Sequence, residues 1–316
     1  MSRPEGVQDR HDVTVSSNNL RKRRIVERLF AASGILSAAI AVGILALVLG
    51  TVLFKGLSQL KLDFFTKPRP LFGEEGGIAD ALVGSALIVG MCVVVAVPLA
   101  VLIAIYMSEY AGPRVSPFLR VVLDVLNGVP AIVVGIFIFG ILVVGHGQSA
   151  VYGALALAIL MLPMVARATQ EVLEIVPRSQ REAALALGVT KWRTTWSIVL
   201  PSAIGGILTG VVIAVARVAG ETAPLLFTSS IAANQVSLDV SHALPTLPVA
   251  IFTLSESPDP NEQAAGWAAA LVLIAFVLVL NVTAKVVAGS RSRKLEGRNS
   301  RRASRRAAAA ALPPAD

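Results

Sequence analysis

Charge, sulfur and aromatic rings are all scarce in this 316-residue chain. Charged residues make up 15% and aromatic residues 5%, against 55% hydrophobic residues and a mean hydropathy of +0.72. So few polar residues cannot cover the apolar surface of a soluble domain, and a disordered chain needs the opposite balance. The composition is that of an integral membrane protein. The single cysteine, Cys92, lies in an apolar run, can form no intrachain disulfide, and reads as a small hydrophobe. Three scattered histidines, His11, His146 and His242, make no ligand cluster, so no metal site is expected. The string GxxxxGK followed by Ser or Thr is absent, which excludes a P-loop, and no nucleophile–base set points to catalysis.

What the chain has instead is long apolar runs. A helix needs about 20 residues to cross the hydrocarbon core. Six stretches are predicted to do so, at roughly 31–54, 81–107, 129–145, 149–166, 202–228 and 264–288. The first is expected to be a retained span, since its basic leader is long and no clear cleavage motif follows. The net charge is +8, and its distribution orients the spans. Residues 1–28, 108–120, 167–201 and 285–316 carry 7, 2, 5 and 9 Lys/Arg, whereas the opposite side carries four, from Lys55 to Arg69. Both termini should therefore face the cytosol, with a basic N-terminal segment (1–28) and a basic, disordered tail (289–316). The tail's arginines suit anionic lipid better than nucleic acid in this context.

Helix punctuation interrupts several spans. Pro98, Pro130, Pro163 and Pro224 each remove a backbone donor. Gly128 with Pro130 separates an amphipathic segment, Phe118 to Asn127, from the third span. Gly206 and Gly210 have the small-xxx-small spacing that lets another helix come close. No internal repeat is evident, which disfavours a secondary transporter built from inverted halves.

The most informative segment is Ser179 to Pro201, SQREAALALGVTKWRTTWSIVLP. Ser179 and Glu182 have capping-box spacing, and Pro177 upstream should keep the new helix from merging with the one before. Ala183 to Leu187 propagate a short helix that Gly188 can end in a left-handed conformation. A second helix is expected to start at Thr190 and run towards Pro201. The product would be a small helix–turn–helix knob suited to docking in a groove of another protein, or else a plain connection between spans.

Glu182-Ala183-Ala184, then Gly188, Ile198 and Leu200-Pro201, meet every specified position of the pattern EAA-x3-G-x9-I-x-LP. That pattern resembles the signature of the transmembrane subunits of bacterial ABC importers that work with a separate substrate-binding protein. The strings IYMSEYAGP (Ile105 to Pro113), NGVPAIVVG (Asn127 to Gly135) and RVAGETAPLLFTS (Arg217 to Ser229) narrow the likeness to phosphate importer permeases of the PstA type. The resemblance covers residues 78–288. It implies an all-α, six-helix permease of the type I importer fold, half of a pore, with 29–56 as its first helix and 167–201 as its coupling loop. Glu182, Ala183, Ala184, Gly188, Leu200 and Pro201 would couple it to an ATPase. The implied partners are a second homologous permease, two ATP-binding subunits and an extracytoplasmic phosphate-binding protein. ATP would be bound by a partner, with no cofactor on this chain. Permeation of another oxyanion and a role as a phosphate-signalling scaffold are the alternatives, whereas a proton- or sodium-coupled carrier has no use for an ATPase-docking knob.

Three charges are candidates for the substrate pathway. Arg217 would lie fifteen residues, roughly 22 Å, into the fifth span, where a charge should face the bundle interior and have a partner. Glu221, one turn on and on the same face, offers Arg217 a local ion pair; the other reading is that the Arg217 guanidinium meets phosphate oxygens in the translocation path, and both residues are pathway candidates. Arg167 is expected at the end of the fourth span, where snorkelling is common. The family resemblance implies that an arginine there matters for transport, with an acidic residue three positions later. This chain has Gln170 at that place, with Glu171 beside it. Glu109 and Asp124 are expected to be solvated.

The charge distribution makes a direct prediction. A reporter active only in the cytosol should work when fused to the C-terminus and stay silent within residues 235–260; activity in that loop would overturn the six-span topology.

Overall fold

The computed structural model describes residues 17–69, 76–231 and 235–310. Residues 1–16 of the basic N-terminal segment, with His11, and residues 311–316 of the tail lie outside the described residues. The chain divides into two compact units, residues 1–54 and 55–316. The described residues are helical, without strands. Among the described residues, five helices are long and apolar enough to span a membrane, and a sixth span results when one bent pair is counted as a single crossing.

Helix α1, Ser17–Gly56, carries the first apolar run. Over residues 29–54 this helix is apolar all round, with side chains such as Phe30 and Ile35 exposed, as suits a helix bathed in lipid rather than water. Its hydroxyls turn inward on the backbone: Ser33 donates to the Phe30 carbonyl at 2.8 Å and Thr51 to that of Leu47 at 2.8 Å.

In the second unit, a short helix α2 (Leu62–Thr66) precedes α3 (Ala79–Ile105), whose end continues as a π turn over Tyr106–Tyr110. Helix α4 (Val115–Gly128) and α5 (Ala131–Ile138, continued by a π turn over Phe139–Val143) meet at 90° across Val129-Pro130. This is the break that Gly128 and Pro130 predict, because Pro130 cannot donate and disfavours helical geometry at the residue before it. Helix α6 runs Ala150–Ile175, nine residues beyond the expected end of the fourth span. The charged residues after 166 do not stop it: Arg167 and Glu174 are paired as described below, and Glu171 is exposed.

The core of this unit is α3 against α6. Ala96, Ala100 and Ala104 of α3 recur every fourth residue, and Ala150, Ala154 and Ala158 of α6 do the same; all six are buried. Lipid tails are as apolar as leucine, so close contact and dispersion, rather than expulsion of water, hold such helices together. The sulfurs of Cys92 and Met161 sit 3.6 Å apart in this interface. Helix α9 (Leu200–Val218) joins through its glycines as expected: a Cβ at Gly206 would sit 2.6 Å from Val172, and one at Gly210 2.8 Å from Ala168, both on α6.

Two expected elements differ. The fifth span is not continuous to 228: α9 stops at Val218, the chain turns through Ala219–Thr222, and a separate α10 (Ala223–Thr228) follows. Gly220 lies within that break and Pro224 just after it, where a proline suits the first turn of a new helix. The loop expected over 229–263 contains a short apolar helix, α11 (Leu247–Glu256), too brief for a period to show through Pro245 and Pro248. Helix α12 spans Pro260–Ala310, so the tail expected to be disordered is helical through Ala310. Alanine, arginine and lysine are good helix formers, and extending an existing helix needs no new nucleus.

The segment ahead of α11 lies flush on α3. The Leu247 amide donates to Ser85 Oγ at 2.7 Å, and a Cβ at Gly84 would run into the Pro245 carbonyl. Gly84→Ala should therefore cost about 1–3 kcal/mol through overpacking. A thermal unfolding series in detergent should show a lowered Tm for it, but none for Gly43→Ala, whose Cβ meets open space.

Candidate functional site

Between α6 and α9 the chain forms the expected knob. Helix α7 covers Arg178–Ala186, and α8 (Lys191–Thr194) passes through a π turn over Thr195–Val199 into α9. The capping box does not form. Pro177 itself occupies the cap position with φ −59° and ψ 135°, so Ser179 falls inside the first turn and no side chain caps the helix. The far end behaves as read from sequence: Gly188 has φ +76°. Its amide donates to the Leu185 carbonyl at 2.9 Å and that of Val189 to Ala184 at 3.1 Å, the paired bonds of a Schellman turn.

The three residues of the EAA string face different ways. Ala184 is 4% exposed and packs inward. Glu182 and Ala183 are exposed, and Glu182 makes no hydrogen bond or ion pair among the described residues. The apolar surface on offer comes instead from Leu185 and from Leu187, which is 83% exposed. Of the residues expected to couple the chain to an ATPase, Ala184 packs inward, whereas Glu182 and Ala183 face outward beside Leu185 and Leu187. Leu200 is partly buried and Pro201 exposed at the start of α9. The π turn just before Pro201 opens the helix where a proline lacks its donor and crowds the preceding turn.

The knob is fastened by an arginine that no motif singled out. Arg181 donates from Nε and Nη2 to Glu109 Oε1 at 3.0 and 2.7 Å, from Nη1 to the Val176 carbonyl at 2.6 Å, and from Nη2 to that of Leu173 at 2.9 Å. Glu109 is thus buried, with 7% of its side chain exposed, rather than solvated as expected. Its burial is possible because the guanidinium pairs with it directly. An arginine next to the EAA string and a glutamate in the YMSEY string were both visible in sequence, but 72 positions apart.

Arg167 lies on α6, eight residues before the end of that helix. Its Nε is 3.1 Å from Asp124 Oδ1 on α4, and its Nη1 reaches Gln170 at 3.4 Å. Gln170 is buried and donates to Glu174 at 2.8 Å, which also accepts from Arg120 at 2.9 Å. Asp124, half-exposed and paired, supplies the carboxylate for Arg167, while Glu171 faces outward. These residues form one polar ladder between α4 and α6.

Arg217 and Glu221 are not paired among the described residues. Arg217 occupies the last turn of α9 and is exposed, a favourable place for a cation near the carbonyl end of a helix. Because α9 ends at Val218, Glu221 follows on a turn, its amide bonded to the Val218 carbonyl at 3.1 Å, and not on the same helical face.

At the other end of the unit, Asp80 in the first turn of α3 is fully buried and accepts from Arg69 Nε at 2.9 Å. The loop before α11 is held by Asp239, which accepts from the Ser241 hydroxyl at 2.6 Å and its amide at 3.0 Å. Those bonds, with His242 close by, hold the Asp239 carboxyl below the usual carboxylate range. The turn should stay intact until acid protonates that lowered group. Three or more metal-ligating side chains gather nowhere among the described residues.

The unpaired state of Arg217 and Glu221 predicts how they respond to substitution. Breaking a buried pair strands a charge at a cost of about 3–5 kcal/mol, and the arrangement here avoids that. Arg217→Leu and Glu221→Gln should each insert and accumulate at wild-type yield, measured after detergent extraction. Low yield of both, recovered in the double variant, would restore the pair.

Comparison with known proteins fits this geometry. The model of the binding-protein-dependent transport system inner membrane component family matches residues 96–293. The phosphate transport system permease protein PstA of Pasteurella multocida is 36% identical over 276 residues, 86% of this chain and 98% of that protein. PstA 1 of Mycobacterium tuberculosis is 42% identical over 215 residues, 67% of this chain and 70% of that one. The fold resembles that of a bacterial ABC transporter that imports the acidic polysaccharide alginate, with TM-score 0.60 at 13% identity over 85% of this chain and 99% of that one.

Proposed function

The chain belongs to the family of binding-protein-dependent transport system inner membrane components, and we propose that it carries phosphate by coupling to an ATPase on a separate chain through the α7 knob. It is a multi-pass membrane subunit of a phosphate ABC importer, in keeping with PstA relatives that align over most of its length. The observation that carries the coupling reading is the knob itself. It is a short helix closed by Gly188, seated by Ala184, and presenting Leu185, Leu187 and an unpaired Glu182 outward. An amphipathic helix end of this kind lays its apolar side into a groove.

On this reading both termini and the knob face the cytosol. A second homologous permease completes the pore, two ATP-binding subunits dock on the knobs, and an extracytoplasmic phosphate-binding protein delivers substrate. ATP stays with the partner, and this chain needs no cofactor. Arg217 is the better candidate for phosphate in the pathway, because its planar fork is exposed and unpaired, whereas Arg167 already holds Asp124 and Gln170.

Two variants test the coupling. Gly188→Val forces a β-branched residue towards positive φ, and Leu187→Asp puts a charge on the docking surface. Both should insert normally, yet co-purify with less ATPase and take up less labelled phosphate, by about tenfold or more for Leu187→Asp. Full uptake in both would remove the knob from the coupling path.

A further inference from the structure

We propose that Arg181 is the positioning residue of energy coupling: its one guanidinium straps the knob to the ends of both helices that form the core of the second unit. This rests on the coupling role of the knob proposed above. Arg181 sits one turn into α7, with 18% of its side chain exposed. Its Nε and Nη2 grip Glu109, which belongs to the π turn Tyr106–Tyr110 closing α3. Its Nη1 and Nη2 also reach the carbonyls of Val176 and Leu173 in the last turn and cap of α6. The last four carbonyls of a helix have no partner within it, and a cation there also meets the negative end of the helix dipole. The contacts therefore satisfy two needs at once, pairing a buried carboxylate and capping α6.

The geometry makes the strap different from the other ion pairs around it. Arg120–Glu174 and Lys67–Asp63 are exposed ion pairs. Arg181 joins three elements, namely α3, α6 and α7. A displacement of α7 by a docked partner must move the ends of α3 and α6 together, or break buried hydrogen bonds to a charged group. Ala184 offers the knob a contact but no direction, since a methyl group can slide. Only a planar fork with five donors fixes both distance and angle. Lysine, a point charge with three donors, cannot reproduce the grip on Glu109 and both carbonyls.

The experiment uses the full complex, with its ATPase and binding protein, reconstituted in lipid vesicles. Uptake of labelled phosphate and ATP hydrolysis are measured together for Arg181→Lys, Glu109→Gln, and the exchange of Arg181→Glu with Glu109→Arg. Arg181→Lys should assemble with its ATPase and hydrolyse ATP, while phosphate moved per ATP falls by about tenfold, within the usual range of coupling between sites. Glu109→Gln keeps the carbonyl bonds and one acceptor, so its ratio should fall less. The exchanged pair should not recover the ratio, because a carboxylate at position 181 cannot donate to Leu173 and Val176. A wild-type ratio in Arg181→Lys, or recovery in the exchanged pair, would overturn the strap. Failure of both single variants to assemble would make the pair a purely structural one and equally overturn it. Leu187→Asp separates this from the underlying reading: if it keeps its ATPase, the knob is not the coupling element, whereas its loss beside an unchanged Arg181→Lys ratio removes the strap alone.

Discussion

Close approach of α3 and α6 is the constraint from which the rest of this structure follows. In lipid there is no water for apolar side chains to escape, so two helices stay together only if they touch along their length. The alanines at 96, 100 and 104 and at 150, 154 and 158 remove the side-chain bulk that would prevent this, and Gly206 and Gly210 bring α9 onto the same helix. Once these axes are close, their ends are close too. Glu109 at the end of α3 then lies within reach of the Leu173 and Val176 carbonyls of α6, and Arg181 can serve all three. The knob stands where it does because small residues far from it let two helices meet.

The polar ladder between α4 and α6 obeys the same logic at a different level. Helix α4 lies at 90° to α5, and Arg120 and Asp124, one turn apart, face Glu174 and Arg167 on α6. Buried Gln170 links the two ion pairs through its carbonyl and its amide. A glutamine can accept from an arginine and donate to a glutamate at once, which a carboxylate cannot do while ionised. This is a physical reason for Gln170 to be tolerated where the family resemblance implies an acid: Asp124 provides the negative charge from across the interface.

Much of this was legible in the sequence, and the failures have identifiable causes. Runs of apolar residues located the spans, and Gly128 with Pro130 located the bend, because these signals act over a few neighbouring residues. The position of Gly188 was also readable, since a turn of this kind tolerates few other residue types. The capping box at Ser179 was misread because Pro177, with its own fixed φ, had already taken the cap. The fifth span was drawn too long because hydropathy does not register a turn made of Ala219 to Thr222. Glu109 was placed in solvent because its partner is 72 residues away, and no local pattern reports such a contact. That Ala184 points inward and Ala183 outward was not legible either, because a string of alanines does not reveal which of them is buried.

The π turn at Thr195–Val199 has a consequence for the azimuth of the whole knob. Such a turn holds one residue more than the regular helix would, and each residue advances a helix by roughly 100°. The residues before it, including Trp192, therefore stand about a third of a revolution out of phase with the stripe that α9 lays on α6. The direction in which Leu187 points is thus set by a single inserted residue as much as by the loop at Gly188.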